Sequence, residues 1–391
     1  MPGTLHVLHV ADTHLGYRQY GLIERELDLY DVFNEIVEKA IRERVDAVIH
    51  SGDLFDSYTP PPQALRAAYR SLRRLKEAGI PFITVLGDHD TPKRRALPPP
   101  VLLEEIGVLR CIGLRGPESA RIETRSGVLS VSGLHNLRGI AARQKLLDAL
   151  SGPAFRPPRE EASVLMLHQT LQEAAPEFDV GLGELPKGFS YYALGHIHLT
   201  RIWGLGESKV AYPGSPEALR LDEARQRDRY VLLAELAPRR TVSLEKLRLE
   251  SVRPQLVEEI DYSGIEGARE ALHRLREELA RLASRGKKPL LHLTVKRVPR
   301  QDKPRLYRLT ENMVKGVTLA YRMRIDVLEE DLPESLQAPG AVDIHKMLTE
   351  LLRDKEAVEV AEKLLDILGQ GGSHALREAE DWLRKKFGIE G

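Results

Sequence analysis

Five short apolar segments each run, within a residue or two, into Asp, His or Gly, and no other feature narrows the fold of this chain as far. Leu5–Val10 leads into Asp12-Thr-His14, Ala47–Ile49 into Ser51-Gly52-Asp53, and Phe82–Leu86 into Gly87-Asp88-His89-Asp90. Val164–Leu167 precedes His168, and Tyr191–Leu194 precedes Gly195-His196-Ile197-His198. Short apolar runs bounded by turn residues read as buried strands, and longer stretches with apolar residues every three or four positions read as helices. Such helices lie between them. Arg25–Arg44 places Leu29, Phe33, Ile36, Val37 and Ala40 on one side, and Ala64–Ala78 ends at Gly79. The pattern predicts a layered α/β fold in which strand-end loops carry the chemistry.

The chain has 391 residues, enough for one large core and a smaller body. Residues 1–257 form the expected main domain. From 258 to 328, a helix over Gly264–Ser284 and strands over Leu290–Val298 and Val317–Val327 predict a small α+β unit. Residues 329–340, with Pro333 and Pro339, read as a linker. Residues 341–391 read as helices, with Asp343, Asp354 and Ser373 as their caps. Their apolar stripes fit a partner surface, with docking back on their own domain as the competing reading. Lys+Arg and Asp+Glu both number 58, which excludes a uniformly basic coating protein but not a local basic surface. No apolar run is long enough to span a bilayer, the N-terminus lacks a signal-like pattern, and Cys111 stands alone. A cytoplasmic protein without membrane contact is expected.

Asp12, His14, Asp53, Asp88, His168, His196 and His198 are the candidate metal ligands. Asp12 and His14 are two residues apart, as are His196 and His198, so in extended chain each pair points to one side. Asp53 has two oxygens and so can bridge two ions. Mixed carboxylate and imidazole ligands suit Mn²⁺, Fe²⁺ or Zn²⁺. Two ions about 3.5–4 Å apart clamp the attacking and leaving oxygens of a displacement at phosphorus. There is no Gly-x-Ser-x-Gly elbow and no Gly-x-x-x-x-Gly-Lys-Ser/Thr loop, so neither a serine nucleophile nor ATP hydrolysis by the chain itself is expected.

The series Asp-x-His, Gly-Asp, Gly-Asn-His-Asp, His and Gly-His-x-His marks the calcineurin-like metallophosphoesterases, and this chain resembles them with one change. More narrowly, His9-Val-Ala-Asp-Thr-His-Leu-Gly16, His50-Ser-Gly-Asp-Leu-Phe-Asp56, Tyr192-Ala-Leu-Gly-His-Ile-His198 and Tyr212-Pro-Gly-Ser-Pro216 resemble the SbcD-type nuclease subunits of double-strand-break repair. The resemblance implies a metallophosphoesterase β-sandwich flanked by helices, a small capping DNA-binding domain and a C-terminal helical tail. It implies two Mn²⁺ per chain, with Fe²⁺, Zn²⁺ and Mg²⁺ as other candidates. One ion would be held by Asp12, His14, Asp53 and His198, and the other by Asp53, Asp88, His168 and His196. His89 matches the catalytic histidine, and Asp90 is placed to orient it from behind. The change is Asp88, where the family has Asn. It keeps a ligand oxygen but adds a negative charge and removes an amide donor.

The implied activity is 3′-to-5′ exonuclease and endonuclease cleavage of DNA, with an SbcC-type coiled-coil ATPase held by the C-terminal helices. Arg18, Gln19 and Tyr20 in one loop, and Lys93, Arg94 and Arg95 in another, are candidate DNA contacts of the positional, salt-sensitive kind. Leu65, Ala68, Leu72 and Leu75 are the candidate apolar face of a homodimer, with burial in the chain's own core as the competing reading. Two alternatives to the nuclease stand: a binuclear phosphoesterase acting on phosphoproteins or nucleotides, and a noncatalytic metal-binding repair scaffold.

Overall fold

The computed structural model describes residues 4–92, 96–137, 141–284, 286–328, 348–349, 352, 354–368 and 372–387. Residues 1–327 form one compact unit and 328–391 a second.

In the first unit the helix Ile23–Arg42 buries Leu29, Val32, Phe33, Ile36, Val37 and Ala40 along a three-to-four-residue stripe, as the periodicity predicts. Pro62 opens the helix Pro62–Glu77, where its missing N–H costs no hydrogen bond. Gly79 closes that helix at φ 71°, which lets Ile80 N–H reach back to Leu75 O at 2.9 Å. Ala68, Leu72 and Leu75 on this helix are at most 1 % exposed, and Leu65 packs against the same core. The candidate dimer face is therefore corrected. Ala68, Leu72 and Leu75 are used up covering their own sheet and cannot also cover a partner, while Leu65 is only partly buried beside them.

Leu5–Val10 lies at the centre of the first six-stranded sheet. It pairs antiparallel with Tyr230–Ala237, which carries Arg240–Arg248 at its far edge, and parallel with Ala47–His50. Phe82–Thr84 and Arg110–Cys111 continue the parallel side. The second six-stranded sheet runs in the order Glu118–Thr124, Gly127–Leu134, Ala162–His168, Tyr191–Gly195, Ser208–Tyr212 and Arg201–Leu205. Val7, Ile49, Ile83 and Ala234 of the first sheet share one apolar cluster with Val131, Val164, Met166, Tyr191 and Ala193 of the second. Each inner strand is buried on its other face too: Leu165, Leu167, Tyr192 and Leu194 pack under the helix Ala142–Leu150 and the loops around Phe155 and Phe189. Burial on both faces explains why these strands read as continuous apolar runs rather than alternating ones. Parallel pairing in both sheets sends the strands that carry Asp12, Asp53, His168 and His196 toward a common rim.

Gln255–Asp261, Leu290–Val298 and Ala320–Val327 form a parallel three-stranded sheet, joined through the helices Ile265–Ala283 and Lys303–Val314. Leu272, Leu275 and Leu279 pack against Leu291, Leu293 and Val295 in a core of their own.

In the second unit, helices span Lys355–Leu368 and Gly372–Phe387. Asp354 Oδ1 accepts from Ala357 N–H at 2.9 Å, as a cap should. The last helix begins at Gly372, so Ser373 lies in its first turn rather than at its cap. The expected linker 329–340 and the cap at Asp343 lie outside the described residues. No described helix is long and apolar enough to cross a membrane.

Candidate metal centre

The seven candidate ligands meet at the rim. Three sets, Asp12–His14–His198, Asp12–Asp53–His168 and Asp88–His168–His196, each hold their ligand atoms within 4.8 Å of one another, and so does a fourth, His14–Asp53–His89. The convergence is not achieved in extended chain. Asp12 (φ 54°), His14 (φ 44°), Asp53 (φ 57°) and His196 (φ 94°) all occupy left-handed backbone, which non-glycine residues adopt only at a cost. The expectation that a two-residue spacing in a strand aligns each pair is thus corrected. Tight turns past the strand ends aim the side chains, and loop-to-loop hydrogen bonds hold those turns. Asp12 N–H donates to Gly52 O at 3.0 Å, His14 N–H to Asp53 O at 3.1 Å, and Leu15 N–H to Leu54 O at 3.0 Å.

Backbone approaches are close enough to need glycine. A Cβ at Gly87 would lie 2.2 Å from Asp53 Oδ1, and one at Gly195 would lie 1.9 Å from Ser51 O. His168 Nδ1–H donates to Ser51 O at 2.7 Å, which leaves Nε2 facing Asp53 Oδ2 at 3.3 Å. The Nε2 atoms of His14 and His198 face each other at 3.2 Å. His196 N–H donates to both oxygens of Asp12, at 3.0 and 3.1 Å, while its Nδ1 lies 3.1 Å from Asp88 Oδ2.

Electrostatics describe a site short of positive charge. Burial works against a charged His168, yet the carboxylates of Asp53 and Asp12 outweigh it and push the imidazole up to about 10. Burial alone would raise Asp53, but His168, His14 and His89 hold it well below the usual carboxylate range. His14 Nδ1 and His168 Nε2 are buried with no hydrogen-bond partner. Orphaned imidazole nitrogens beside buried carboxylates are the donor set of a divalent metal pair, and the residues present fit one. His9 and His50 lie behind the centre and are of another kind. Burial first, and then neighbouring imidazoles, lower both to about 3, and they bond Tyr191, Ser51 and Thr13.

His89 stands at the mouth with its side chain 40 % exposed, and its Nδ1–H donates to Asp56 O at 2.6 Å. Asp90 does not stand behind it. Fully buried, the Asp90 carboxylate accepts from the backbone N–H groups of Leu54, Phe55 and Gly87, and burial with the nearby Asp53 charge pushes it up to about 7. It ties two ligand loops together, while Asp56, 56 residues into the chain and outside the candidate set, supports His89. A polar cleft of about 410 Å³ opens beside Asp88 and His196, lined also by Asn136, Gln169, Thr170 and Asp179.

The comparisons agree with this geometry. The calcineurin-like phosphoesterase family model matches residues 5–199. The DNA double-strand break repair protein Mre11 of Saccharolobus solfataricus is 36 % identical over 361 residues, 90 % of each chain. The Mre11 of Sulfolobus acidocaldarius is 31 % identical over 400 residues, 99 % of this chain and 100 % of that one. The chain belongs to the Mre11 branch of the calcineurin-like phosphoesterases.

In this Mre11-family chain the candidate DNA contacts separate. Arg18 and Tyr20 are exposed; Arg18 pairs with Glu26, and Tyr20 lies under the Arg322 guanidinium, 4.4 Å from its ring centre. Gln19 is corrected: it is 1 % exposed, donates to Leu219 O at 2.9 Å and accepts from Arg25, so the turn that presents its neighbours points it into the core. Lys93, Arg94 and Arg95 lie outside the described residues. Sequence reasoning missed Glu223, whose Oε1 accepts from His198 Nδ1 at 2.7 Å. It lies 25 residues beyond its partner, in Leu221-Asp222-Glu223-Ala224, and nothing local distinguishes it from Asp222.

Proposed function

We propose that this chain hydrolyses DNA phosphodiester bonds with two Mn²⁺, as a 3′-to-5′ exonuclease and endonuclease in double-strand-break end processing, gated by an SbcC-type ATPase. The observation that carries the reading is the set Asp12–Asp53–His168, which shares Asp12 with the set Asp12–His14–His198 and His168 with the set Asp88–His168–His196, with His89 at the mouth, in a chain 36 % identical to a DNA double-strand break repair protein over nine-tenths of both lengths. Asp12, His14, Asp53 and His198 would hold one ion, and Asp53, Asp88, His168 and His196 the other. When bound, the pair supplies Lewis-acid polarisation of the phosphate and a water acidic enough to attack at neutral pH.

The chain's own residues supply position and protons. His89 has committed Nδ1–H to Asp56 O, so Nε2 is the atom that meets a phosphate oxygen or protonates the departing sugar oxygen. Asp90 keeps the His89 loop against the Asp53 loop through its three backbone bonds. Arg18, Tyr20, Lys93, Arg94 and Arg95 would position the DNA backbone, with residues 258–328 as a capping domain and 341–391 as the ATPase-binding segment. A homodimer would bring two centres to one break. Leu102 and Ile106, exposed on and just after the helix Pro99–Glu105, are the face to test in place of the buried one.

The reading is tested by Mn²⁺-dependent cleavage of duplex DNA, cyclic nucleotides and phosphopeptides, with and without the ATPase. Cleavage of DNA above the other two supports it. Preference for either of the others moves the chain to the small-substrate phosphoesterases, and metal binding without any cleavage makes it a scaffold, with the extra charge of Asp88 as the cause.

A further inference from the structure

We propose that Glu223 is a positioning residue for the metal centre: it holds His198 in the tautomer and orientation that present Nε2 to the ion shared with Asp12 and His14. The inference rests on the two-ion reading above. Glu223 is 2 % exposed, in a four-residue helical turn, Leu221–Ala224, that contributes no ligand. A carboxylate flanked by hydrogen-bond donors accepts, so the 2.7 Å contact from His198 Nδ1 to Glu223 Oε1 places the ring proton on Nδ1. That leaves the Nε2 lone pair facing His14 Nε2 at 3.2 Å, within the Asp12–His14–His198 set.

Glu223 is itself anchored. Its Oε2 accepts from Leu219 N–H at 2.7 Å and lies 3.4 Å from Ser215 Oγ. Buried Arg229 brackets the pair, donating from Nη1 to His198 O at 3.1 Å and from Nη2 to Glu223 O. A ring held from its far nitrogen by an anchored carboxylate is a better metal ligand, because its basicity rises and its rotation is removed before the ion arrives. The other imidazoles are held differently: His168 Nδ1 uses the Ser51 carbonyl, and His196 Nδ1 lies against the partly exposed Asp88 carboxylate.

The test is Mn²⁺ titration of the full chain, followed by paramagnetic resonance of free Mn²⁺. Wild type should bind two ions. Glu223→Ala should weaken one of them by about 10–100-fold and leave the other unchanged. In a His198→Ala background, Glu223→Ala should cost nothing further, because it acts only through that ring. Folded Glu223→Ala with two unchanged affinities, or equal losses with and without His198, overturns the proposal alone. A wild-type chain that takes up no pair overturns the two-ion reading and the proposal with it. Should Glu223→Ala not fold, ¹⁵N shifts of His198 in the Zn²⁺-loaded wild type decide the matter. A proton on Nδ1 supports the assignment, and a proton on Nε2 rejects it.

Discussion

The buried charged side chains around Arg25 and those of the metal centre differ in how their charges are met. Around Arg25 every group is matched from within. Its Nη1 donates to Asp28 at 2.7 Å, its Nη2 to Glu217 at 2.7 Å, and its Nε to Gln19 at 2.9 Å. Asp28 also accepts from Arg253 at 2.6 and 3.0 Å and pairs with Lys287 at 2.9 Å, while Glu217 accepts from Arg253 N–H at 2.7 Å. The cluster fastens the helix Ile23–Arg42 to the start of the three-stranded sheet. In the metal centre, by contrast, the carboxylates of Asp12 and Asp53 meet imidazoles and backbone N–H groups, two ring nitrogens lack hydrogen bonds, and four backbone positions are left-handed. A closed charge cluster is structural, whereas an open one is completed by something that binds. Asp is common to both, but Arg and Lys complete the closed cluster whereas the open one gathers only Asp and His.

The largest expected effect is that of Asp53→Asn. Removing the shared carboxylate should lose both ions and depress hydrolysis by more than the ~10²–10⁴-fold typical of one acid–base group. Metal analysis beside DNA cleavage checks this, and full occupancy at a normal rate would end the contrast between open and closed clusters. His89→Ala should keep both ions and lose ~10²–10⁴-fold in rate, since the ring meets the leaving oxygen rather than holding the pair. Loss of an ion together with the rate would make His89 a ligand, as its grouping with His14 and Asp53 permits.

On the closed side, Arg25→Ala leaves Asp28 and Glu217 short of charge and should cost about 3–5 kcal/mol in urea unfolding, with two ions still bound per folded chain. A fall in metal stoichiometry without a fall in stability would show that the two clusters are not separate. A smaller change is expected of Asp88→Asn, which takes one negative charge from the open cluster. It should need more free Mn²⁺ and cleave about tenfold faster at saturation, where ~1.4 kcal/mol is tenfold in rate. Equal or slower saturated cleavage rejects charge repulsion as the role of Asp88.

The smallest effect is one of pH. Burial would raise Asp28, but Arg253, Arg25 and Lys287 outweigh it and hold its carboxyl below the usual 3.8. A lowered folded value means stability that is fully present above about pH 3.8 and lost as pH falls through the folded value. Asp28→Asn should flatten that acid-side loss in Tm measured against pH, and an unchanged slope would remove Asp28 from the account.

Residue types and their local spacing determined much of this protein. The strands Leu5–Val10, Ala47–His50, Ala162–His168 and Tyr191–Gly195 were legible because strands buried on both faces are written as unbroken apolar runs. The helices Ile23–Arg42 and Ile265–Ala283 were legible from their stripes, and all seven candidate ligands from their places just past strand ends. Tertiary structure alone decided how those ligands converge. The left-handed turns at Asp12, His14, Asp53 and His196 are held by hydrogen bonds to a neighbouring loop some forty residues or more away in sequence, or by the carboxylate of Asp12 itself. It also turned Gln19 inward and Tyr20 outward, set Asp90 against three backbone amides, sealed Ala68, Leu72 and Leu75 into the core, and brought Glu223 to His198. The physical reason is the same in each case. A side chain's partner across the fold is set by sheet order and turn handedness, and neither leaves a local period for the sequence to display.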